Sequence, residues 1–398
     1  MINNIRVFLC IIFALFTWIK NQITKKHCTN KNILILFQQI FGDAVMISDS
    51  LKYYSRVFPS ENGYSITFVS KPNVNKFMHD LLPLPKEIKF EELDFKRIQT
   101  DVLYFYLMVR KYGDNFGVIV TPGTSFSPEL FSLTSTASRK EGLLPSIPRT
   151  KPFPLVWLQK HAYTSTIRPN KEMNMIQRHR MFLNHLGLSN VEGRIPELLH
   201  QNRIIKGKYC VVCPGSSMPF KIWPKERFLK VIDYVVKSYN LDVYLTGGNE
   251  EKKYSDWLVS NTKYPNRVFS KIGQTSFKEW AAIIQYSIFV LGNDSATIHL
   301  AVASRIPSIC IAGVYEKLQF FPYTVDVLDK GDMLPITLYE DMYCEYCRTK
   351  SYFAGWGNLE CKKRIRKGLC ATCINSISVN KVVSNIDALM FSMNYNLG

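Results

Sequence analysis

The sequence predicts an α/β protein with two domains, each built on a parallel sheet. The chain has 398 residues, of which 46% are hydrophobic, and this is enough to form two ordinary cores. Short apolar runs of strand character alternate with segments of helical periodicity in both halves. Such alternation is typical of parallel sheets that helices cover on both faces.

The first half predicts a β-α-β unit followed by a further strand. The expected strands are residues 32–37, 65–70 and 117–121. Four apolar residues share one face of the helix between the first two strands: Ile47, Leu51, Tyr54 and Phe58. Residues 137–154, rich in Pro, Ser and Arg, are expected to be irregular, and helical character resumes over 172–186. Residues 188–207 lack periodicity and are expected to link the domains.

The second half alternates more regularly. The expected strands are residues 209–213, 242–246, 287–291 and 307–312, and helices are expected from Pro224, after Glu250 and after Ser295. The helix from Pro224 has proline in its first turn and buries Phe228, Val231, Ile232 and Val235.

Two polar loops follow strands of this second domain. Residues 214–226 read Pro-Gly-Ser-Ser-Met-Pro-Phe-Lys-Ile-Trp-Pro-Lys-Glu, and residues 292–301 read Gly-Asn-Asp-Ser-Ala-Thr-Ile-His-Leu-Ala. A helix that begins beyond the carboxyl end of a parallel strand offers free N–H groups and a partial positive charge to an anion. The loops therefore predict a site for a phosphorylated ligand. Neither has the G-x-G-x-x-G spacing of a dinucleotide site, so such a cofactor is disfavoured.

The chain carries a net charge of +18, which suits an anionic partner. Nucleic acid, an acidic membrane surface and a phosphorylated glycolipid all satisfy this condition. The sequence has no RNA-binding or helix-turn-helix signature, so nucleic acid is the disfavoured partner.

An apolar run occupies residues 7–19, preceded by Arg6 and followed by Lys20, Lys25 and Lys26. Thirteen residues cannot easily span a bilayer as a helix, and no small-residue cleavage site follows the run. An interfacial anchor or short signal-anchor is one interpretation. A buried or poorly ordered extension is the other, and both stay open.

Ten cysteines are present, and five of them cluster late: Cys344, Cys347, Cys361, Cys370 and Cys373. Two C-x-x-C pairs, Cys344 with Cys347 and Cys370 with Cys373, could bind one structural zinc ion tetrahedrally. Free thiols are the alternative, and disulfides would need an oxidising compartment that nothing else in the chain requires. The cysteines of apolar runs are expected in the core: Cys10, Cys210, Cys213 and Cys310.

Four motifs, taken in order, resemble those of glycosyltransferase family 9, the heptosyltransferases of lipopolysaccharide core assembly, which adopt a two-domain GT-B fold. The matching segments are Gly42-Asp43, Pro214 to Pro224, Thr246-Gly247-Gly248-Asn249-Glu250-Glu251, and Asp294-Ser295-Ala296-Thr297-Ile298-His299-Leu300. The resemblance covers residues 32–380 and is strongest in the second domain. Ala296 stands where the family usually has glycine.

The resemblance implies two Rossmann-like domains that face each other across a cleft. The implied organisation is an apolar and basic extension over residues 1–30, an acceptor-side domain over 31–187, a linker over 188–207, a nucleotide-sugar domain over 208–340, and a Cys-rich segment with a C-terminal helix over 341–398.

The resemblance also implies roles for individual residues. The donor-binding candidates are Ser216, Ser217, Lys221, Glu250, Glu251, Asp294, Ser295, Ala296 and His299. Asp43 is the candidate general base, which removes a proton from the acceptor hydroxyl. Each carboxylate also has a plainer interpretation: Asp43 and Asp294 as helix N-caps, and the two glutamates as an ordinary acidic helix start. A lone helical histidine such as His299 is often a packed structural residue.

The implied activity is inverting transfer of a sugar, expected to be heptose from ADP-heptose, to an anionic lipid-linked saccharide of the lipopolysaccharide core. No metal is required for catalysis, and the implied location is cytoplasmic, peripheral or N-terminally anchored at the inner membrane. A GT-B sugar-nucleotide epimerase is a rival because it would share the phosphate loops and need no acceptor. A catalytically inactive basic protein that binds membrane or nucleic acid is the other rival.

Overall fold

The chain forms two compact units in the computed structural model, which describes residues 2–146, 148, 153–170, 173–314, 323, 328, 332–340 and 359–393. Unit 1 comprises residues 1–79 and 84–193, and unit 2 comprises residues 80–83 and 194–398. Residues 187–208, which carry the chain from one unit to the other, form no helix or strand.

The sheet of unit 1 has six described strands, all parallel, in the order β3-β2-β1-β4-β5-β6. The strands are β1 (Asn32–Phe37), β2 (Ser65–Ser70), β3 (Ile88–Glu92), β4 (Val118–Thr121), β5 (Arg139–Leu143) and β6 (Ser165–Ile167). Ile33 of β1 lies opposite Ile66 of β2 on one side and Val118 of β4 on the other. This strand order is that of a Rossmann sheet, with a switch point between β1 and β4.

Helices cover the sheet of unit 1. They are α1 (Ile2–Thr24), α2 (Phe41–Val57), α3 (Pro72–Leu81), α4 (Phe95–Thr100), α5 (Val102–Met108), α6 (Phe126–Thr134), α7 (Phe153–Ala162) and α8 (Met175–His185). A π-helical turn, Val109–Gly113, follows α5. The expected apolar face of α2 is confirmed, because Ile47, Leu51, Tyr54 and Phe58 are all buried.

The expectation of an irregular stretch over residues 137–154 is wrong, because β5 lies within it. The sequence of β5, Arg-Lys-Glu-Gly-Leu, lacks the apolar run that predicts a buried strand. Its Glu141 is nevertheless buried, where it accepts a hydrogen bond of 2.7 Å from Nε of Arg139 and lies 3.1 Å from Nε2 of His185. These partners allow a charged residue to occupy a strand inside the sheet.

The N-terminal segment forms a longer helix than its apolar run indicates. Helix α1 has 23 residues, and within the described part of the chain it is long and apolar enough to cross a membrane by length and composition. Its Cys10 and Ala14 are fully buried against α4, α5 and α6. The segment is therefore an ordered part of unit 1, and the interpretation as a poorly ordered extension is wrong.

The sheet of unit 2 has the same arrangement. Its described strands are β7 (Tyr209–Cys213), β8 (Asp242–Leu245), β9 (Val268–Ser270), β10 (Val290–Asn293), β11 (Ser308–Ile311) and β12 (Ile336–Leu338). They are parallel in the order β12-β11-β10-β7-β8-β9, so the switch point lies between β7 and β10. The prediction of two Rossmann-like domains is confirmed.

The described helices of unit 2 are α9 (Lys225–Tyr239), α10 (Lys252–Asn261), α11 (Phe277–Gln285), α12 (Ala296–Ala303), α13 (Leu359–Arg366), α14 (Thr372–Ser376) and α15 (Val379–Ser392). The C-terminal α15 packs against α9, where the hydroxyl groups of Tyr234 and Tyr239 donate to Oδ1 of Asp387 at 2.8 and 2.6 Å. The C-terminal helix is thus part of the core of unit 2.

The third strand of unit 2 starts later than its predicted range of 287–291. Strand β10 includes Gly292 and Asn293, so the loop begins at Asp294. A Cβ atom at Gly292 would lie 3.1 Å from the backbone oxygen and Cβ of Cys213 on β7. Glycine therefore allows the two central strands to pair closely at the point where both loops begin.

Candidate active site

Both predicted phosphate loops lie at the switch point of the unit 2 sheet. The first follows β7 and the second follows β10, and these strands are parallel neighbours. Ligands of open α/β sheets bind in the crevice outside the carboxyl ends of the strands, where the strand order reverses. The topology therefore brings together two motifs that are far apart in the chain: Ser216 of the first loop contacts Asp294 of the second, and the separation is 78 positions.

A buried ion pair joins the two loops. Nζ of Lys221 lies 2.6 Å from Oδ2 of Asp294, and the two side chains are 15% and 7% exposed. Oγ of Ser216 also donates to the backbone oxygen of Asp294 at 3.2 Å. Because Ser295 occupies the N-cap position of α12, the interpretation of Asp294 as the helix N-cap is wrong.

Asn293 is a site residue that the sequence analysis missed. Its Nδ2 donates to the backbone oxygens of Pro214 and Gly215 at 2.7 and 3.2 Å, and its Oδ1 accepts from the backbone N–H of Trp223 at 3.0 Å. The fully buried amide fixes both ends of the first loop to β10. Its position between Gly292 and Asp294 in a polar motif was the available signal, but its partners cannot be inferred from spacing.

Trp223 links the same loop to the C-terminal segment by a hydrogen bond. Its indole Nε1 donates to the backbone oxygen of Ile377 at 3.0 Å, and its backbone oxygen accepts from the hydroxyl of Tyr254 at 2.8 Å. The side chain is fully buried. The loop that carries Lys221 is therefore held from three sides.

Glu251 lies directly over the first loop. A Cβ atom at Gly215 or Gly247 would approach its carboxyl group to 2.0 or 1.9 Å, so the Glu251 side chain would have to move if either glycine were replaced. Its Oε2 accepts from the backbone N–H of Gly248 at 2.9 Å. Burial raises the pKa of Glu251 to about 7, against the lowering effect of the Gly248 hydrogen bond, and neighbouring Glu250 adds a smaller increase.

The two glutamates are thus distinguished by position. Glu250 is exposed and its carboxyl group lies near Gly248, whereas Glu251 contacts the loop after β7. Among the serines of that loop, Ser217 is exposed and Ser216 is half-buried against Asp294. Ser216 is therefore the serine that contacts Asp294, and Glu251 is the glutamate that lies over the loop carrying Ser216.

The start of α12 is accessible, and the histidine further along it is not. Ser295 and Ala296 are half-buried, and the hydroxyl of Ser295 makes no capping hydrogen bond. His299 is buried, with its Nδ1 hydrogen-bonded to the hydroxyl of Tyr323. Burial lowers the pKa of His299 to about 4, Asp294 opposes this effect, and Lys221 contributes to it. The imidazole is therefore neutral near pH 7, as expected of a packed structural residue.

Asp43 lies in unit 1, at the switch point of that sheet. It is the third residue of α2, it is 8% exposed, and its Oδ2 accepts from the backbone N–H of Ile40 at 3.2 Å. The N-cap position belongs to Ile40, so Asp43 is not the N-cap, although it does satisfy a free N–H of the helix start. Burial lowers the pKa of Lys71, which directly follows β2, and Asp43 opposes this effect.

Buried hydroxyl groups accompany Asp43 at the carboxyl ends of the unit 1 strands. Ser70, Thr121 and Thr124 each have a buried side-chain oxygen without a hydrogen-bond partner among the described residues. Buried polar atoms are nearly always satisfied, so orphaned hydroxyls at a sheet's ligand edge are candidates for binding a polyhydroxy compound.

The late cysteines are only partly within the described chain. Cys344 and Cys347 lie outside the described residues. Cys361, Cys370 and Cys373 are buried in the core of unit 2, where Sγ of Cys361 is 3.3 Å from the hydroxyl of Thr372. The described residues alone contain no group of three or more possible metal ligands.

Residues 155–329, which include both loops, match the model of glycosyltransferase family 9 (heptosyltransferase). Lipopolysaccharide heptosyltransferase 3 of Escherichia coli (strain K12) is 28% identical over 126 residues, which are 31% of this chain and 36% of that protein. Lipopolysaccharide heptosyltransferase 1 of Campylobacter coli is 22% identical over 198 residues, or 43% of this chain and 58% of that protein. The matches therefore span less than two thirds of these curated relatives.

Solved structures resemble the chain over nearly its whole length. A glycosyl transferase family 9 protein from Veillonella parvula DSM 2008 superposes with a TM-score of 0.67 at 16% identity, covering 91% of this chain and 98% of that one. ADP-heptose lps heptosyltransferase II of E. coli gives 0.61 at 13% identity, with 91% and 99% covered. These similarities confirm the GT-B fold class of two Rossmann-like domains. Over residues 155–329, which carry both loops, the chain is thus similar to glycosyltransferase family 9.

Proposed function

We propose that the protein is an inverting glycosyltransferase that moves heptose from ADP-heptose to an anionic glycolipid of the lipopolysaccharide core. The observation that carries this proposal is the buried pair of Lys221 and Asp294, which joins two family motifs at the switch point of unit 2. A cation and a helix N-terminus at that place suit a diphosphate.

The choice of donor has support from similar structures. E. coli heptosyltransferase WaaC, described with ADP, superposes with a TM-score of 0.50 at 17% identity. Heptosyltransferase TibC, described in complex with ADP-D-beta-D-heptose, gives 0.53 at 15% identity. ADP-heptose is accordingly the first donor to test.

In the proposed complex, Lys221 and the start of α12 bind the diphosphate. Ser216 and Ser217 donate further hydrogen bonds to its oxygens, and Asp294, paired with Lys221, accepts from sugar hydroxyls. Ala296 adds a methyl group at the half-buried first residue of α12, beside the position proposed for the diphosphate. Glu251 accepts from the ribose hydroxyls, as acidic residues do in other nucleotide-binding folds.

Asp43 acts as the general base in this proposal. Its carboxylate removes the proton of the acceptor hydroxyl as that oxygen attacks the anomeric carbon. The bond between the anomeric carbon and the diphosphate oxygen breaks, and ADP leaves from the opposite face with the electron pair. Lys71 lies close enough to interact electrostatically with Asp43, and the unpaired hydroxyls of Ser70, Thr121 and Thr124 are available to the acceptor saccharide.

The proposed surroundings are the cytoplasm and the surface of the inner membrane, since the acceptor is lipid-linked. A structural zinc ion held by Cys344, Cys347, Cys370 and Cys373 stays a proposal, and the buried thiols of Cys370 and Cys373 suit it chemically. The TibC structure is described as iron-containing, so iron is a second candidate metal for these cysteines. Transfer itself requires no metal in this proposal.

Mass spectrometry of reaction products tests the proposed function. Purified protein is incubated with a panel of nucleotide sugars, with and without truncated lipopolysaccharide acceptors. We expect a mass increase of one heptose on the acceptor, with ADP released only when the acceptor is present. Donor conversion without acceptor would favour an epimerase, and failure to bind any nucleotide sugar would favour an inactive binding protein.

A further inference from the structure

Helix α1 presents an apolar stripe to solvent. Seven large apolar residues with 45% to 75% exposure recur at spacings of three and four: Ile5, Phe8, Leu9, Ile12, Phe16, Ile19 and Ile23. These spacings place all seven on one side of the helix. A helix on the surface of a globular protein normally turns a polar side outward, whereas α1 turns an apolar side outward.

The opposite side of α1 packs against the core of unit 1 along the length of the helix. Cys10 and Ala14 are fully buried, and the ring of Phe13 packs edge-on against Phe105 at 5.1 Å between centroids. Further along, the ring of Trp18 packs against Trp157 at 5.3 Å. An isolated transmembrane span would have to leave these contacts and expose the core of unit 1. The helix is therefore built to lie against a surface.

Helix α5 widens the apolar stripe. Its Leu103, Tyr106 and Leu107 are 68%, 46% and 49% exposed, and the rings of Tyr106 and Phe13 are 6.3 Å apart. We call these three residues and the seven of the α1 stripe the α1 face. Ten exposed apolar side chains on two adjoining helices form a patch of the kind that marks an interaction site.

The charges around the α1 face select an anionic partner. Residues 1–42 contain no Asp or Glu but five cationic residues: Arg6, Lys20, Lys25, Lys26 and Lys31. The acidic residues at its border are compensated, because Asp101 pairs with Arg97 at 2.7 Å and Asp114 pairs with Lys26 at 3.2 Å. A second copy of this chain, with a net charge of +18, would bring like charges together.

We infer that α1 lies in the plane of an anionic bilayer, with the α1 face inserted at the boundary between headgroups and acyl chains. Helices with an exposed apolar face and flanking Lys and Arg bind membranes in this way, at a depth of about 5–10 Å. The inference refines the membrane-surface part of the proposed function, on which it rests for its biological purpose. Vesicle binding itself does not depend on sugar transfer.

Co-sedimentation of the full-length protein with vesicles tests the inference. Vesicles of phosphatidylglycerol and phosphatidylethanolamine are compared with vesicles of phosphatidylcholine. Phe16→Glu places a charge in the centre of the α1 face, and Phe391→Glu makes the same change at an 84% exposed residue of α15 in unit 2. We expect the wild-type protein and Phe391→Glu to prefer anionic vesicles, and Phe16→Glu to bind at least about tenfold more weakly.

Three results would overturn the inference. The first is unchanged binding by Phe16→Glu to the anionic vesicles. The second is protection of an N-terminal tag from protease added outside the vesicles, which would indicate that α1 crosses the bilayer. The third is an oligomer that Phe16→Glu dissociates without loss of vesicle binding, which would assign the α1 face to a second copy.

Enzyme assays separate this inference from the proposed function. Phe16→Glu should transfer sugar to a water-soluble acceptor fragment as the wild-type protein does, and circular dichroism should show an unchanged fold, because Phe16 is 68% exposed. A protein that binds vesicles through α1 but has no transferase activity would refute the proposed function alone.

Discussion

Replacing Lys221 by methionine should weaken donor binding and also destabilise unit 2, for two separable reasons. The substitution removes the cation proposed to contact the diphosphate, and a hydrogen bond to a charged group contributes about 1.5–3 kcal/mol. We therefore expect ADP to bind roughly 10- to 150-fold more weakly. Methionine keeps the unbranched stem of lysine, so the packing around the side chain should be preserved.

The loss of stability follows from Asp294. Its side chain is 7% exposed, and Lys221 at 2.6 Å compensates its charge. Removing one partner of a buried pair costs about 3–5 kcal/mol. The start of α12 lies next to Asp294 in the chain and offsets part of this cost, by up to about 2 kcal/mol. A net loss of about 2–4 kcal/mol is therefore expected.

A double variant distinguishes the two effects. Adding Asp294→Asn to Lys221→Met removes the uncompensated charge, so thermal unfolding should return towards the wild-type temperature while ADP affinity, measured by calorimetry, stays low. Wild-type ADP affinity in Lys221→Met would refute the assignment of this lysine to the diphosphate. Affinity restored together with stability would show that the single variant binds poorly because it is unfolded.

Three further predictions concern the base, the ribose contact and the cysteines. Asp43→Asn should lower turnover by about two to four orders of magnitude with donor affinity unchanged, since Asn can still accept from Ile40 but cannot take a proton. As a control, Asp49→Asn on the same helix should have nearly normal turnover. Normal turnover in Asp43→Asn would limit Asp43 to a role at the helix start. Affinity for ADP-heptose should rise from pH 6 to pH 8, because the pKa of Glu251 is about 7 in the free protein and ribose hydroxyls favour its charged form. Glu251→Gln should abolish this rise in affinity. A rise that persists in the variant would mean that another group titrates. Metal analysis of the purified protein should find about one zinc or iron ion per chain, and a lower metal content in Cys370→Ser. If no metal is found and the thiols can be titrated, the proposed metal site is wrong.

The sequence predicted the central strands of both sheets well. The predicted ranges of β1, β2 and β7 agree with the observed ranges at both ends, because each is a continuous apolar run between polar segments. Strands β9 and β12 were not predicted, since each has three described residues at the edge of its sheet, too few for periodicity to be detected. Strand β5 escaped detection because long-range partners, and not apolar residues, stabilise it.

The candidate site was predicted as two loops but not as one network. The types of residue and the strand-loop-helix order were sufficient to expect a phosphate site at a sheet edge. The partner of each polar atom depends on strand order, which brings β10 beside β7. This places residue 221 in contact with residue 294, although the separation is 73 positions along the chain. The spacing of residues along the chain does not indicate which strands pair, so the role of Asn293 could not be predicted.

The role of the N-terminal segment could not be predicted from its sequence pattern either, and its structure decides which variants can test that role. A count of apolar residues cannot distinguish those that face a core from those that face lipid, because both interiors select the same side chains. The structure separates them by angle around α1, with Cys10 and Ala14 on the side of the core and Phe16 on the side of the solvent. Deleting residues 1–28 would therefore remove part of the core of unit 1 together with any membrane contact, and loss of activity after such a deletion would have two explanations. Single substitutions on the exposed stripe leave the buried side intact, so they test membrane binding without testing the stability of the fold.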